Sequence, residues 1–427
     1  MSALGLLDGA VEATNARLVD AHEADLDALA ARLARRGADA EALIARAAGF
    51  TVAVPSWGTG TGGTRFARFP GLGEPACVTD RLEDCAAIQR LGRASPRVSL
   101  HFPWDGDDPA ALREAGEALG LGFDAVNSNT FQDAPGQRLS YKHGSLSHQS
   151  AEVRAQAVAH NLRCVEIGRA IGSRALTVWV GDGTSFPGQQ DLSAQFDRYL
   201  EAASAIHDAL PEGWRMLIEH KLYEPAFYST VVADWGTSLM AAQALGAKAM
   251  CLVDLGHHAP TVNVEMVVAR LAWAGRLGGF HLNDSKYGDD DLDAGAIDPY
   301  RLFLVMREVL AAEARGAELA HMIDQSHNVT DPIESLIVSG AEARRAYVQA
   351  LLVDAEALAE AQAASDALRA SEILKAAFRT DVEPILAEAR RRAGGAIDPV
   401  AAYRASGYRA AVAKARPEAG ASGGGIV

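Results

Sequence analysis

Acidic and imidazole side chains recur where apolar runs end. Glu219 closes the run in WRMLIEHK, Asp254 that in AMCLVDLGHH, His281 that in LGGFHLND and Asp324 that in LAHMIDQS. Gathered at one place, Glu219, Asp254 and Asp324 repel one another, which raises their pKa values and costs several kcal/mol unless a cation sits among them. Three carboxylates and one imidazole form a mixed oxygen and nitrogen set suited to Mn2+, Co2+ or Zn2+ more than to Ca2+. Taken alone, an Asp at a strand end caps the following helix and a His fills a core position. The recurrence over four consecutive runs points instead to metal ligands.

A second set lies close by. His257 follows Asp254 by three residues, and the acidic loop YGDDDLDAGAIDPY offers Asp289 and Asp291. An acidic loop is ordinarily a solvated turn, and this one is no EF-hand, because Ala294 and Tyr300 fall where that loop needs Gly and Glu. With Glu219 as a bridge, His257, Asp289 and Asp291 are placed to hold a second cation, and two cations could polarise adjacent oxygens of one small substrate. Side chains alternate along a strand, so Lys221 shares the face of Glu219, Asn283 that of His281 and Ser326 that of Asp324, while His220 faces away. His101 and Asn127 close two earlier runs. Trp57, Phe131 and Trp179 fall at strand ends and suit the wall of a sugar pocket, whereas Trp104 is assigned to ordinary core packing.

The elements that carry these residues repeat. Eight apolar runs, FTVAVPSW, RVSLHFPWD, LGFDAVNSNT, ALTVWVGDG, WRMLIEHK, AMCLVDLGHH, LGGFHLND and LAHMIDQS, alternate with amphipathic stretches of helical spacing. Each is nearly continuous in β-branched and leucine residues, as a strand buried on both faces must be. The alternation predicts a (β/α)8 TIM barrel of the α/β class, with an open doubly wound sheet as the alternative. Barrel catalysis sits where the strands end, and the polar residues lie there. The expected layout is an N-terminal helical extension over 1–48, the barrel over 49–345 and a C-terminal helical region over 346–427 with a mobile Gly-rich tail. Gly58, Gly60 and Gly63 match GxGxxG, but the residues that follow, TRFARFPGLGEP, hold two prolines and open no helix, so they read as a flexible loop. No Walker A or HExxH is present.

Composition narrows the partners. The 427 residues carry a net charge of -15, with 49% hydrophobic and 22% charged residues, a globular balance that disfavours nucleic acid as partner. Cys77, Cys85, Cys164 and Cys251 have no CxxC spacing, which favours buried thiols in a reducing compartment over disulfides. The N-terminus does not read as a signal peptide and no run is long enough to span a membrane, so a cytoplasmic location is expected.

The segments AVPSWGTGTGGTRFARFPG, VSLHFPWD, GFDAVNSNTFQDAPGQ, LIEHKLYEPAFYSTVV, CLVDLGHHAP, GFHLNDSKYGDDDLDAGAI and HMIDQSHNVTDPIESL resemble L-rhamnose isomerase of the broad-specificity bacterial type. The likeness continues in ILAEARRRAGGAIDPVAAYRASGYRA and covers nearly the whole chain, though the connection ARGAELAHMID is shorter than the family pattern. The resemblance implies interconversion of L-rhamnose and L-rhamnulose, side activity on D-allose and D-psicose, a homotetramer, and two divalent cations per subunit with Mn2+ foremost and Co2+, Zn2+ or Mg2+ as substitutes. It places Glu219, Asp254, His281 and Asp324 on a structural metal and His257, Asp289 and Asp291 at a catalytic one. It gives His101 and Asp324 a part in ring opening and Lys221 contact with substrate oxygens. It sends Phe66 toward a neighbouring subunit's site.

The mechanism expected is a hydride shift from C2 to C1 of an open-chain aldose, its oxygens polarised by metal. Three rivals share the barrel: a metal-dependent ketose 3-epimerase, a DNA-repair nuclease, which needs a basic rim, and a sugar-binding protein, which needs no such ligand cluster.

Overall fold

The computed structural model describes residues 3–61 and 69–416. Phe66, Gly63 and the Gly-rich tail lie outside the described residues. The barrel strands are β1 (Val54–Pro55), β2 (Arg97–Phe102), β3 (Gly122–Ser128), β4 (Ala175–Val178), β5 (Arg215–Glu219), β6 (Ala249–Asp254), β7 (Leu277–Leu282) and β8 (Ala320–Ile323). They pair in parallel in that order, and a bridge between Ala53 and Met322 closes the ring. The open-sheet alternative is thereby excluded. Pro55, which lacks an N–H, ends β1 after two residues.

The helices form where the sequence supplies caps. We label them α1 (Ala3–Ala34), α2 (Ala40–Gly49), α3 (Val78–Gly92), α4 (Pro109–Leu119), α5 (Ala151–Ile171), α6 (Leu192–Ala209), α7 (Trp235–Leu245), α8 (Val264–Trp273), α9 (Pro299–Glu313), α10 (Pro332–Leu351), α11 (Ala355–Ala363), α12 (Ala367–Phe378), α13 (Glu383–Arg392), α14 (Pro399–Ser406) and α15 (Tyr408–Ala415). Four of them, α4, α9, α10 and α14, open on an Asp-Pro pair. The Asp carboxylate accepts a backbone N–H of the first turn, and the proline occupies a position that has no donor to lose.

Along each strand the inward residues change from apolar to polar as the strand rises. Ala125, Leu217 and Leu252, with Ala175, Met250 and Ala320 against them, plug the barrel floor. Two residues further on, the same inward positions carry Asn127, Thr177, Glu219 and Asp254. The outward faces join the helices in the main core.

The terminal helices make a second, smaller core. Leu29 and Leu33 of α1 and Leu43 and Ile44 of α2 pack with Val348 of α10 and Ile385, Leu386 and Ala389 of α13. The boundary expected at residue 345 falls inside α10, which runs unbroken to Leu351 and serves both cores. All four cysteines are free; Cys77 is exposed and the others are buried. Among the described residues no helix is long and apolar enough to cross a membrane.

Candidate metal centre and sugar pocket

The polar ends of the strands converge on one cavity at the C-terminal mouth of the barrel. Trp57, His101, Trp104, Phe131 and Trp179 form one wall; Glu219, Lys221, His257, His281, Asp289, Asp291, Asp324 and Ser326 form the other. A cavity with an aromatic wall and a few convergent polar groups has the make-up of a small-molecule site.

Glu219, Asp254, His281 and Asp324 each present a ligand atom, all within 4.8 Å of one another. Nδ1 of His281 is the focus: Glu219 Oε1 lies at 3.1 Å, Asp324 Oδ2 at 3.4 Å and Asp254 Oδ2 at 3.6 Å. One ring proton cannot serve three carboxylates. Ligand atoms about 2.1 Å from a shared ion stand roughly 3.0 Å apart across an octahedral edge and roughly 3.4 Å apart across a tetrahedral one, so these spacings fit a divalent cation. Burial alone would lower the pKa of His281, but Glu219, Asp254 and Asp324 hold it well above the ordinary imidazole value. The pocket draws positive charge to this point.

A second group joins Asp254, His257 and Asp289. His257 Nδ1 donates to the carbonyl of His220 at 2.9 Å. That bond turns Nε2 toward Asp289 Oδ1 at 3.2 Å and Asp254 Oδ2 at 3.8 Å, the usual way an outer partner orients a ligand imidazole. Burial pulls the His257 pKa down, yet Asp254, Asp289 and Glu219 bring it up to about 9. The residue common to the two groups is Asp254, where the sequence reading had made Glu219 the bridge. Glu219 still stands between them, with Oε1 3.3 Å from His257 Nδ1.

Asp291 is not in that second group. Its φ of 49° is left-handed, a conformation that costs roughly 1 kcal/mol outside glycine. Ser326 holds it there, Oγ donating to Asp291 Oδ2 at 2.9 Å and the backbone N to Asp291 O at 3.1 Å. Burial and the charge of Asp289 push its pKa well above the carboxylate range. Lys221 sits between the carboxylates and the aromatic wall, with Nζ 2.5 Å from Asp289 Oδ2, 3.5 Å from Glu224 Oε2 and 4.9 Å from the Trp179 ring centre. Burial lowers its pKa, but Asp289 more than restores it, so it stays an ammonium.

The aromatic wall is continuous. His101 meets Trp57 edge-on at 5.4 Å and Phe131 at 5.8 Å, and Phe131 meets Trp179 at 4.4 Å. Trp104 is no core residue: it is half-buried in the cavity wall and stacks on His101 at 4.1 Å. Burial holds the His101 pKa down at about 3, so the ring is neutral. Trp57 is more than a wall, since its Nε1 donates to Asp324 Oδ1 at 3.1 Å.

One supporting residue, Asp105, is not singled out by the sequence pattern. Asp105 accepts from His101 N at 2.7 Å, Ser56 Oγ at 2.5 Å and Arg81 at 2.9 Å, which fixes the turn below His101. Its place four residues after His101 in HFPWD was the available signal. Asn283 Nδ2 donates to both oxygens of Asp254, at 3.0 and 3.2 Å, aided by Gly256 N at 2.7 Å.

Comparison with known proteins agrees with this fold. The profile of the xylose isomerase-like TIM barrel family matches residues 84–322. The chain belongs to that family. It is 64% identical over 421 residues to a probable sugar isomerase of Rhizobium meliloti (strain 1021), covering 98% of each chain. It is 61% identical over 420 residues to one of Mesorhizobium japonicum, again covering 98% of each. Among solved structures, 3-keto-D-glucoside 4-epimerase from E. coli superposes with a TM-score of 0.52 at 11% identity, over 69% of this chain and 99% of that one. A xylose isomerase domain protein from Alicyclobacillus acidocaldarius gives 0.51 at 13%, over 71% and 99%. At such identities the superpositions speak for the fold alone.

Proposed function

We propose that this family member is a cytoplasmic aldose-ketose isomerase that interconverts L-rhamnose and L-rhamnulose, with D-allose and D-psicose as a secondary pair, and works as a homotetramer. The observation that carries the reading is the convergence of Glu219, Asp254 and Asp324 on one nitrogen of His281, with His257 and Asp289 arranged beside them. Glu219, Asp254, His281 and Asp324 would hold one divalent cation; Asp254, His257 and Asp289 would hold another, with Asp291 at its edge. When bound, such cations supply Lewis-acid polarisation of neighbouring sugar oxygens. Mn2+ is the first choice, with Co2+, Zn2+ and Mg2+ as substitutes.

The chain's own residues do the rest. Trp57, Phe131 and Trp179 cover the apolar face of the sugar and keep water from it. His101 is neutral, so it can take the anomeric hydroxyl proton as the ring opens, with Asp324 on the other side of the cavity. Lys221 remains charged and donates to an oxygen of the open chain. In the isomerisation the C2–H bond breaks and a C1–H bond forms with the same electron pair. The O2 hydroxyl loses its proton and O1 gains one, so no external oxidant is required. With cations bound, the carboxylates beside the site would be engaged by them, by Lys221 or by Ser326, which would leave no strong base to remove a carbon-bound proton.

The test is turnover by metal-stripped protein given a panel of aldoses and ketoses in heavy water, with Mn2+ restored. L-Rhamnulose without deuterium at C1 is the expected product. Deuterium at C1 would indicate an enediol route, and a ketose inverted at C3 would replace the isomerase with an epimerase.

A further inference from the structure

The barrel is most thinly joined where β8 returns to β1. The two strands meet through one β-bridge, held by Ala53 N to His321 O at 2.7 Å and Ile323 N to Ala53 O at 2.9 Å. Across this same seam Trp57 donates to Asp324, so the place of one carboxylate in the centre depends on a junction that the sheet itself barely secures.

The C-terminal helices bind both sides of it. Asp331, seven residues beyond Asp324, caps α10 through Ile333 N and Glu334 N. Its carboxylate is also gripped by the Arg409 fork, Nε at 2.9 Å and Nη2 at 3.1 Å, and by Tyr403 Oη at 3.0 Å. The third arm of the same guanidinium, Nη1, reaches the carbonyl of Gly73 at 3.3 Å, where Arg416 Nη1 joins it at 2.9 Å. Gly73 belongs to the connection that follows Trp57. Its φ is +70°, and a Cβ there would stand 2.8 Å from Ala413 N, so only glycine lets this connection lie against α15. Beside it the buried Glu74 accepts from Thr61 N and Gly71 N, both at 3.1 Å, gathering the stem of the connection.

We propose that Arg409 is a positioning residue: by tying the β8 connection to the β1 connection from outside, it fixes Asp324 against Trp57 and so sets the cation affinity of the Glu219, Asp254, His281 and Asp324 group. It touches neither cation nor substrate. The inference rests on the metal reading above, and it assigns a role in the centre to helices far beyond the barrel repeat. A bidentate fork is what the role needs, because lysine keeps the charge but cannot span Asp331 and Gly73 together.

The experiment is Mn2+ titration of the full chain, followed by electron paramagnetic resonance, for the parent and for R409Q, R409K, D324N, R409Q with D324N, and N15A. Asn15 bonds Gly395 O and Ile397 N, so N15A loosens the C-terminal helices away from the seam and measures plain loss of packing. We expect R409Q and R409K to weaken one of two Mn2+ equilibria by about tenfold, as loss of an outer partner does. R409Q should add nothing in the D324N background, and N15A should lower the melting temperature while leaving both equilibria alone. Parent-like Mn2+ binding by R409Q with only a lower melting temperature, or an effect that adds in full to that of D324N, overturns the strap and spares the metal reading. A parent chain that binds no Mn2+ overturns both.

Discussion

Asp254→Asn removes a charge and almost no volume from the residue that both ligand groups share. Asp254 Oδ2 stands 3.6 Å from His281 Nδ1 and 3.8 Å from His257 Nε2. Unit charges at such spacings interact by roughly 4 kcal/mol at an effective dielectric of about 20, a ceiling on what either histidine loses. With cations present the substitution deletes a first ligand, and even an outer partner is worth about 10 to 100-fold in affinity. The loss should therefore be at least about 100-fold, or about 2.7 kcal/mol, at each of the two positions. Asp324→Asn, which belongs to one group only, should weaken one position and spare the other. Counting tightly bound Mn2+ by elemental analysis after dialysis should give two ions per chain for the parent, one for D324N and none for D254N. A D254N chain that retains one ion at the parent's affinity would refute the shared-ligand geometry, and with it the placement of Asp254 between the groups.

Two further outcomes follow from named contacts. His101→Asn keeps polarity and the aromatic neighbours but removes the neutral ring nitrogen; kcat on the cyclic aldose should fall by roughly 100 to 10,000-fold with the Mn2+ titration unchanged. Glu388 is the hinge of an ion cluster between α1 and α13: burial raises its pKa, but Arg391, His22 and Arg392 bring it down to about 2 from 4.5. A depressed carboxyl stabilises the fold above its unfolded value and loses that contribution as pH falls toward the folded one. Denaturation of the parent and of E388Q should differ by up to about 3 kcal/mol at pH 7 and converge between pH 4.5 and 2; a gap that is constant over that range would contradict the ionic account.

The barrel was legible because its strands are buried on both faces and so read as unbroken apolar runs. The ligand group was legible because period-two alternation carries Leu217 to Glu219 and Leu252 to Asp254 on one inward face. What the pattern could not carry were choices made by loops. Asp254 rather than Glu219 is shared because Gly256 and Asn283 aim its carboxylate, a matter of tenths of an ångström. A single left-handed residue turns Asp291 toward Ser326, which the sequence pattern does not announce. Trp104 lies in the turn after β2, which ends at Phe102, so no strand alternation separates a wall from a core there. The partnership of α1 with α13 joins residues more than 300 apart, His22 with Glu388 among them, and periodicity within either helix is silent about the other.

That partnership has a consequence for how the chain is made. During synthesis the first fifty residues emerge with Leu29, Leu33, Leu43 and Ile44 but without Ile385, Leu386 and Ala389, which cover them in the finished fold. The barrel repeats can assemble in sequence while these leucines wait for the last ribosomal stretch. The small core therefore cannot close before α13 is made, and a polypeptide that ends after β8 would expose these leucines as a sticky amino-terminal face.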